Sequence, residues 1–92
     1  MPFCTLLEWD EPFDFEKYEQ MNRQSGVHDV LPGGLLARIV GAVGDGARII
    51  EVWRTSQDAG EFNAKHGHLV AEFDMPPPSR VAAFETTVFQ TG

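Results

Sequence analysis

Residues 35–54 read LLARIVGAVGDGARIIEVWR. Two apolar runs, 35–43 and 47–54, flank Gly44-Asp45-Gly46, and a short glycine-bearing link between such runs predicts a β-hairpin. Upstream, residues 3–9 (FCTLLEW) form an aromatic and aliphatic run closed by the turn residues Asp10-Glu11-Pro12, which predicts a strand. Asp14 then stands where a helix N-cap belongs, and Phe13 and Tyr18 have the spacing of a hydrophobic staple across it. A first helix over 15–25, stopped by Gly26, follows. Residues 27–34 are too rich in turn formers to be regular. Downstream of the hairpin, Thr55 or Ser56 can cap a second helix, whose apolar positions Ala59, Phe62, Leu69, Val70 and Phe73 fall on one stripe. Met75-Pro76-Pro77-Pro78 ends it, and residues 81–89 predict a last strand. Strand, helix, strand, strand, helix, strand is the ferredoxin-like α+β arrangement, one domain over 1–92 with a four-stranded antiparallel sheet and both helices on one face.

Size and charge narrow the chemistry. The chain has 92 residues, 42% of them hydrophobic, and at this length only about two-thirds of the unfolded surface can be buried. The single cysteine, Cys4, allows neither an intrachain disulfide nor a Cys-rich zinc site, so no structural metal is expected and a reducing compartment is the natural home. Seven basic against fourteen acidic residues give a net charge of −7, which speaks against nucleic acid or an anionic membrane as partner. No run approaches the ~20 apolar residues of a membrane span, and residues 1–10 lack the basic region of a signal peptide. The expectation is a cytoplasmic protein for which oligomerisation is the remaining staple.

The strand faces say what kind of oligomer. Phe3, Leu7 and Trp9 alternate with Cys4 and Leu6, and Ile49 and Trp53 with Ile50 and Val52. Uninterrupted alternation groups Leu35, Ala37 and Ile39 against Leu36, Val40 and Ala42, and Val81, Ala83 and Phe89 against Ala82, Phe84 and Val88. Both faces of the sheet are therefore apolar. Two helices cover only one of them, so a second copy packed sheet to sheet is expected on the other.

The segments Leu6-Leu7-Glu8-Trp9, Phe15-Glu16-Lys17-Tyr18, Gly34-Leu35-Leu36, Ile50-Glu51-Val52-Trp53-Arg54-Thr55-Ser56 and Ala64-Lys65-His66-Gly67-His68 resemble the dimeric α+β barrel superfamily. Antibiotic-biosynthesis monooxygenase-like proteins, stress-responsive barrel proteins, polyketide cyclases and haem-degrading enzymes belong to it. The resemblance implies a homodimer of ferredoxin-like sheets with small-molecule pockets between sheet and helices. It does not extend to haem breakdown: that branch relies on an asparagine on the first strand and a tryptophan on the second helix, where this chain has Cys4 and Thr5 and then Phe62.

His66 falls near the centre of the second helix's apolar stripe. A histidine there either packs against a backbone carbonyl or serves as a general acid or base, since its ordinary pKa lies near neutrality. The resemblance favours the working role, because several superfamily members carry a functional histidine in this stretch. His68, two residues on, points to the opposite side. Tyr18, Met21 and Phe62 would line a pocket against the sheet, although Tyr18 also has a purely structural role as the partner of Phe13. Trp53 either lines that pocket or sits in the core. His28, beside Asp29, lies in the loop that would cap it. Glu8, Glu51 and Glu85 sit inside strands, and any that is buried needs a partner, for which Arg38, Arg48 or Arg80 is available.

Three functions compete for these residues. The first is a cofactor-independent enzyme acting on an aromatic or polyketide-like carbonyl compound by His66-assisted acid/base chemistry, of cyclase or aldol type, or alternatively as a cofactor-free monooxygenase. The second is a non-catalytic dimer that binds a small hydrophobic ligand. An RNA-binding module shares the strand order but fails here, because residues 47–53 lack the basic, glycine-bearing aromatic signature.

Overall fold

A computed structural model describes residues 1–26 and 33–91. Among these, the elements run β1 (Phe3–Trp9), α1 (Phe15–Ser25), β2 (Leu35–Val43), β3 (Gly46–Trp53), α2 (Ser56–His66), α3 (His68–Glu72) and β4 (Arg80–Glu85). The strands form one antiparallel sheet in the order β2-β3-β1-β4, the ferredoxin-like order. No helix among the described residues is long and apolar enough to cross a membrane.

Local chemistry accounts for the start of both long helices. Asp14 accepts from the Lys17 backbone N–H, and the Phe13 and Tyr18 rings lie 5.6 Å apart across the first turn of α1. Gly26, at φ 85°, closes that helix. Thr55 caps α2 by accepting from the Asp58 N–H. In the hairpin, Gly44 takes the positive φ its turn requires, and the following Asp45 carbonyl accepts from the Phe13 N–H at 3.0 Å, tying the turn to the entry of α1. Gly46 is fixed by close approach: a Cβ there would stand 1.9 Å from the Trp9 carbonyl oxygen.

Three features depart from the sequence-based expectation. The second helix is broken at Gly67, where a Cβ would meet the Asn63 carbonyl oxygen at 2.6 Å. The Val70 N–H there bonds to the Gly67 carbonyl, so the bond register changes between α2 and α3. The last strand ends at Glu85 rather than residue 89, because its partner β1 begins at Phe3, directly opposite Glu85. Thr86 makes the closing contact, donating from its backbone N and its hydroxyl to the Pro2 carbonyl. Finally, β2 carries a bulge. Leu35 pairs with Trp53 and Ala37 with Val52, so Leu36 is an extra residue. Leu35 therefore shares its face with Arg38, Val40 and Ala42, not with Ala37 and Ile39.

One face of the sheet lies under the helices. Trp9, Ala47 and Ile49 pack with Phe13 and Tyr18, and Leu35 and Trp53 pack with Ala59 of α2. The opposite face has no covering element among the described residues. Two cross-strand rows dominate it, Ala82–Leu6–Ile50–Ile39 and Phe84–Cys4–Val52–Ala37. Ile39 is 59% exposed and Phe84 49%.

Two glycines should respond to alanine in opposite ways. Gly46→Ala forces a methyl into the Trp9 carbonyl and should cost about 1–3 kcal/mol. Gly60→Ala, inside α2 with no atom within 4 Å of the added Cβ, should gain up to about 1 kcal/mol from helix propensity. In a domain of this size each kcal/mol moves the melting temperature by roughly 4–8 °C. Equal thermal shifts for the two variants would contradict the close approach at Gly46.

Candidate functional site

The row Ala83–Thr5–Glu51–Arg38 runs across all four strands on the helix-facing side of the sheet. Apolar rows flank it, Val81–Leu7–Ile49–Val40 on one side and Phe3–Trp53–Leu35 on the other. A carboxylate, a guanidinium and the Thr5 hydroxyl are thus set between two apolar rows. The bulge at Leu36 makes this possible, since without it a β2 that buried Leu35 would turn Arg38 to the outer face.

The side chains of Arg38 and Glu51 are only 14% and 13% exposed. Arg38 Nε lies 3.7 Å from Glu51 Oε2, close enough for an ion pair and too far for a hydrogen bond. That buried Nε–H has no acceptor among the described residues. Arg38 Nη2 donates to the Tyr18 hydroxyl and, at 3.4 Å, to Asn22 Oδ1, while its guanidinium carbon lies 5.3 Å from the Tyr18 ring centre. Thr5 Oγ1 donates to Glu51 Oε1 at 3.5 Å. Burial pushes the Glu51 carboxyl above its ordinary range, opposed by the Arg38 charge and the Thr5 bond. Burial likewise raises the Tyr18 phenol, against the pull of Arg38.

These groups open into a cavity of about 210 Å³ between sheet and helices. Its apolar walls include Leu7, Trp9, Met21, Ile49, Phe62 and Val70, and its polar groups are Tyr18, Arg38, Glu51 and Asn63. The proline run that ends the second helix also closes the cavity: Met75, Pro76 and Pro78 line it, and Trp9 Nε1 donates to the Pro76 carbonyl at 2.9 Å. The turn before it places Asp74 at φ 51° with reverse bonds from Asp74 to Ala71 and Met75 to Val70, a Schellman end. A smaller recess of about 70 Å³ shares Met21, Arg38, Phe62, Asn63 and Val70 with the cavity and adds His66. A third, about 360 Å³, shares Leu7, Glu51 and Asn63 and reaches Trp53 and β4.

The structure brings Tyr18, Met21 and Phe62 together on the main cavity and sets His66 in the adjoining recess, its ring 4.8 Å from that of Phe62. No hydrogen bond or ion pair holds His66 among the described residues. His68 is exposed. Trp53 is 2% exposed, a core residue whose face also borders the third recess. His28 lies outside the described residues. Arg38, Asn22 and Asn63 were not singled out as pocket groups by the sequence. For Asn22 and Asn63 the signal was positional, an amide four residues on from Tyr18 and from Ala59 on their helices; Arg38 gave none, because only the Leu36 bulge turns it inward.

On the outer face, one charged row ends the two apolar ones. Glu8 stands between Arg80 and Arg48, and Asp10 joins them. Arg80 reaches Glu8 and Asp10 at 2.6 Å each, and Arg48 reaches Asp10 at 3.2 Å. The Arg80 hydrogen bond holds the Asp10 carboxyl below its usual range. Of the three in-strand carboxylates, Glu8 and Glu51 thus have arginine partners, and Glu85 is exposed.

A four-stranded antiparallel sheet covered by helices on one face is also the fold of antibiotic-biosynthesis monooxygenase-like proteins of known structure, and the chain shares that fold. A protein from Chloroflexus aurantiacus J-10-fl, provisionally assigned as an antibiotic biosynthesis monooxygenase, superposes with a TM-score of 0.70 over 99% of this chain and 98% of its own, at 9% identity. The protein Rv0793 of Mycobacterium tuberculosis gives 0.68 over 99% and 100% at 10% identity. A monooxygenase of Streptomyces coelicolor from the gene ActVA-Orf6, solved with Nanaomycin D, gives 0.62 over 97% and 92% at 13% identity. No family model and no curated protein sequence matches the chain.

The buried pair predicts a non-additive stability pattern. Arg38→Met strands the Glu51 carboxylate and should cost about 3 kcal/mol at neutral pH, whereas Arg38→Met with Glu51→Leu should recover most of that loss. Additive single-variant effects in urea unfolding would contradict it. The sign of the pH effect also follows. Native Glu51 holds its proton more tightly than the unfolded chain does, so its contribution is fully present below the unfolded pKa and is lost as pH rises through the raised native one. Relative to Glu51→Gln, the wild type should lose stability as pH rises upward from about 4.3.

Proposed function

We propose that this chain is a cofactor-independent enzyme that takes an aromatic or polyketide-like carbonyl compound into the cavity under α1 and α2 and moves protons on it. The observation that carries this reading is the cavity itself: apolar walls that suit a flat ring system, with a few polar groups gathered at one place. Tyr18 and Arg38 suit a carbonyl or phenolic oxygen. Met21 and Phe62 form the walls, and His66, in the adjoining recess with no hydrogen bond or ion pair among the described residues, acts as acid or base toward the part of the substrate that reaches it. In cyclase or aldol chemistry an enolised carbon adds to a second carbonyl of the same molecule, and loss of water follows.

A second reading is cofactor-free monooxygenation, favoured by the fold shared with the Streptomyces coelicolor monooxygenase. There the substrate anion reacts with molecular oxygen; one oxygen atom enters the ring as a new carbonyl and the other leaves as water with two substrate hydrogens. The working unit in either case is a homodimer packed through the outer rows, with the Glu8–Arg48–Arg80 row at the border of the apolar contact. Under this reading the ligand-binding spaces stay on the helix side of each copy.

Product mass separates the readings. Purified protein incubated in air with anthrone-type and open poly-β-ketone substrates should yield either a gain of oxygen with loss of two hydrogens or a loss of water. His66→Gln should lower kcat by about 10²-fold or more. Absence of turnover by the wild type, or turnover that His66→Gln leaves unchanged, sinks the catalytic role of His66. Sedimentation should show a dimer at micromolar concentration that Ile39→Glu converts to monomer, and a monomeric wild type would refute the sheet-to-sheet pairing.

A further inference from the structure

Arg38 and Glu51 are costly to bury, and nothing in the fold requires them. A hydrocarbon pair of similar volume would fill the same row between Leu7–Ile49–Val40 and Phe3–Trp53–Leu35 at equal or better stability. The pair is also incomplete. Its members approach to 3.7 Å without a hydrogen bond, and the buried Nε–H of Arg38 has no acceptor among the described residues. Both line the cavity, together with Tyr18, whose hydroxyl accepts from Arg38. The groups sharing that cavity with Glu51 come from every neighbouring element: Arg38 from β2, Tyr18 from α1 and Asn63 from α2, with Thr5 of β1 donating to the carboxylate from beneath. Only Arg38 among them carries a charge.

We propose that Glu51 and Arg38 work as a counter-ion exchange, in which the Glu51 carboxylate takes the proton of an acidic phenol in the cavity and Arg38 transfers its pairing from Glu51 to the substrate oxyanion. This rests on the reading that the cavity receives an aromatic carbonyl compound. The O–H bond of the substrate breaks, its electron pair stays on the substrate oxygen, and the proton ends on a Glu51 carboxyl oxygen. No electrons are transferred. One buried anion replaces another beside the same guanidinium, so the cavity keeps its net charge and no uncompensated ion is created in a low-dielectric space. The Arg38 guanidinium and the Tyr18 hydroxyl face the oxyanion. Desolvation, which already favours the neutral form of Glu51, acts in the same direction. The exchange prepares the anion that either chemistry requires, and His66 serves a separate proton at the recess.

A dye tests it through proton counting. 1,2-Dihydroxyanthraquinone is yellow when neutral and red as its monoanion, and it is used about one unit below its free pKa, where about nine-tenths is yellow. The wild type should bind it red without releasing a proton to solvent, because Glu51 keeps that proton. Its affinity should then hardly change with pH. Glu51→Gln, close in shape and leaving the Arg38 charge for the dye anion to neutralise, should also bind the dye red but release about one proton, so that its affinity rises about tenfold per pH unit in this range. Arg38→Met should bind it yellow. A wild type that binds the dye yellow, or that releases as much proton as Glu51→Gln, overturns the exchange and leaves the cavity reading intact. A wild type that does not bind the dye at all overturns both.

Discussion

An arginine and a glutamate face each other across β2 and β3 on the side of the sheet that the helices cover. Removing two ions from water costs several kcal/mol each, and their attraction offsets that only while both stay in place. The surrounding structure is arranged to keep them there. The Leu36 bulge turns Arg38 inward, the Thr5 hydroxyl steadies Glu51, and Tyr18 and Asn22 on α1 both accept from Arg38 Nη2. The tight approach of Gly46 to Trp9 and the Trp9–Pro76 hydrogen bond then fix the far wall of the same cavity. A polar row inside an apolar layer makes sense as a binding floor, because a ligand oxygen placed there meets donors already desolvated and oriented.

The two faces of the sheet divide the work by the same logic. Beneath the helices, polar groups sit in the middle row and hydrocarbon surrounds them, which suits a small molecule. On the outer face the order is reversed: the two middle rows are apolar and the ion cluster of Glu8, Asp10, Arg48 and Arg80 lies at one end. That pattern suits a broad contact with a charged border, where exposed ion pairs add little energy but oppose misaligned packing. The acidic balance of the chain then belongs to its solvated exterior.

Much of the fold was legible because it is local. The hairpin, the first helix with its Asp14 cap and Gly26 stop, and the Phe13–Tyr18 staple each depend on residues within a few positions of one another. What was not legible is non-local. The end of β4 is set by where β1 begins, eighty residues earlier in the chain. The bulge falls between Leu35 and Ala37, inside an apolar run that starts right after Gly34, and nothing within the run marks it, so uninterrupted alternation placed the strand's faces wrongly. Gly67 advertised a weak point in the second helix, yet whether it bends or breaks depends on how tightly it passes Asn63. Of the site, Tyr18, Met21 and Phe62 could be read from helical spacing. Glu51 was recognisable as a strand carboxylate in need of a partner, but three arginines were equally available, and only the register selects Arg38.

Burial makes Glu51 a carboxylate that takes up a proton readily, rather than one locked in its ionised form by Arg38. An NMR titration of the Glu51 side-chain carboxyl in the wild-type protein measures that directly. The account predicts a midpoint above the ordinary glutamate value of about 4.3. A midpoint at or below that value would make the pair a fixed structural salt bridge and remove the basis for a proton moving within this cavity.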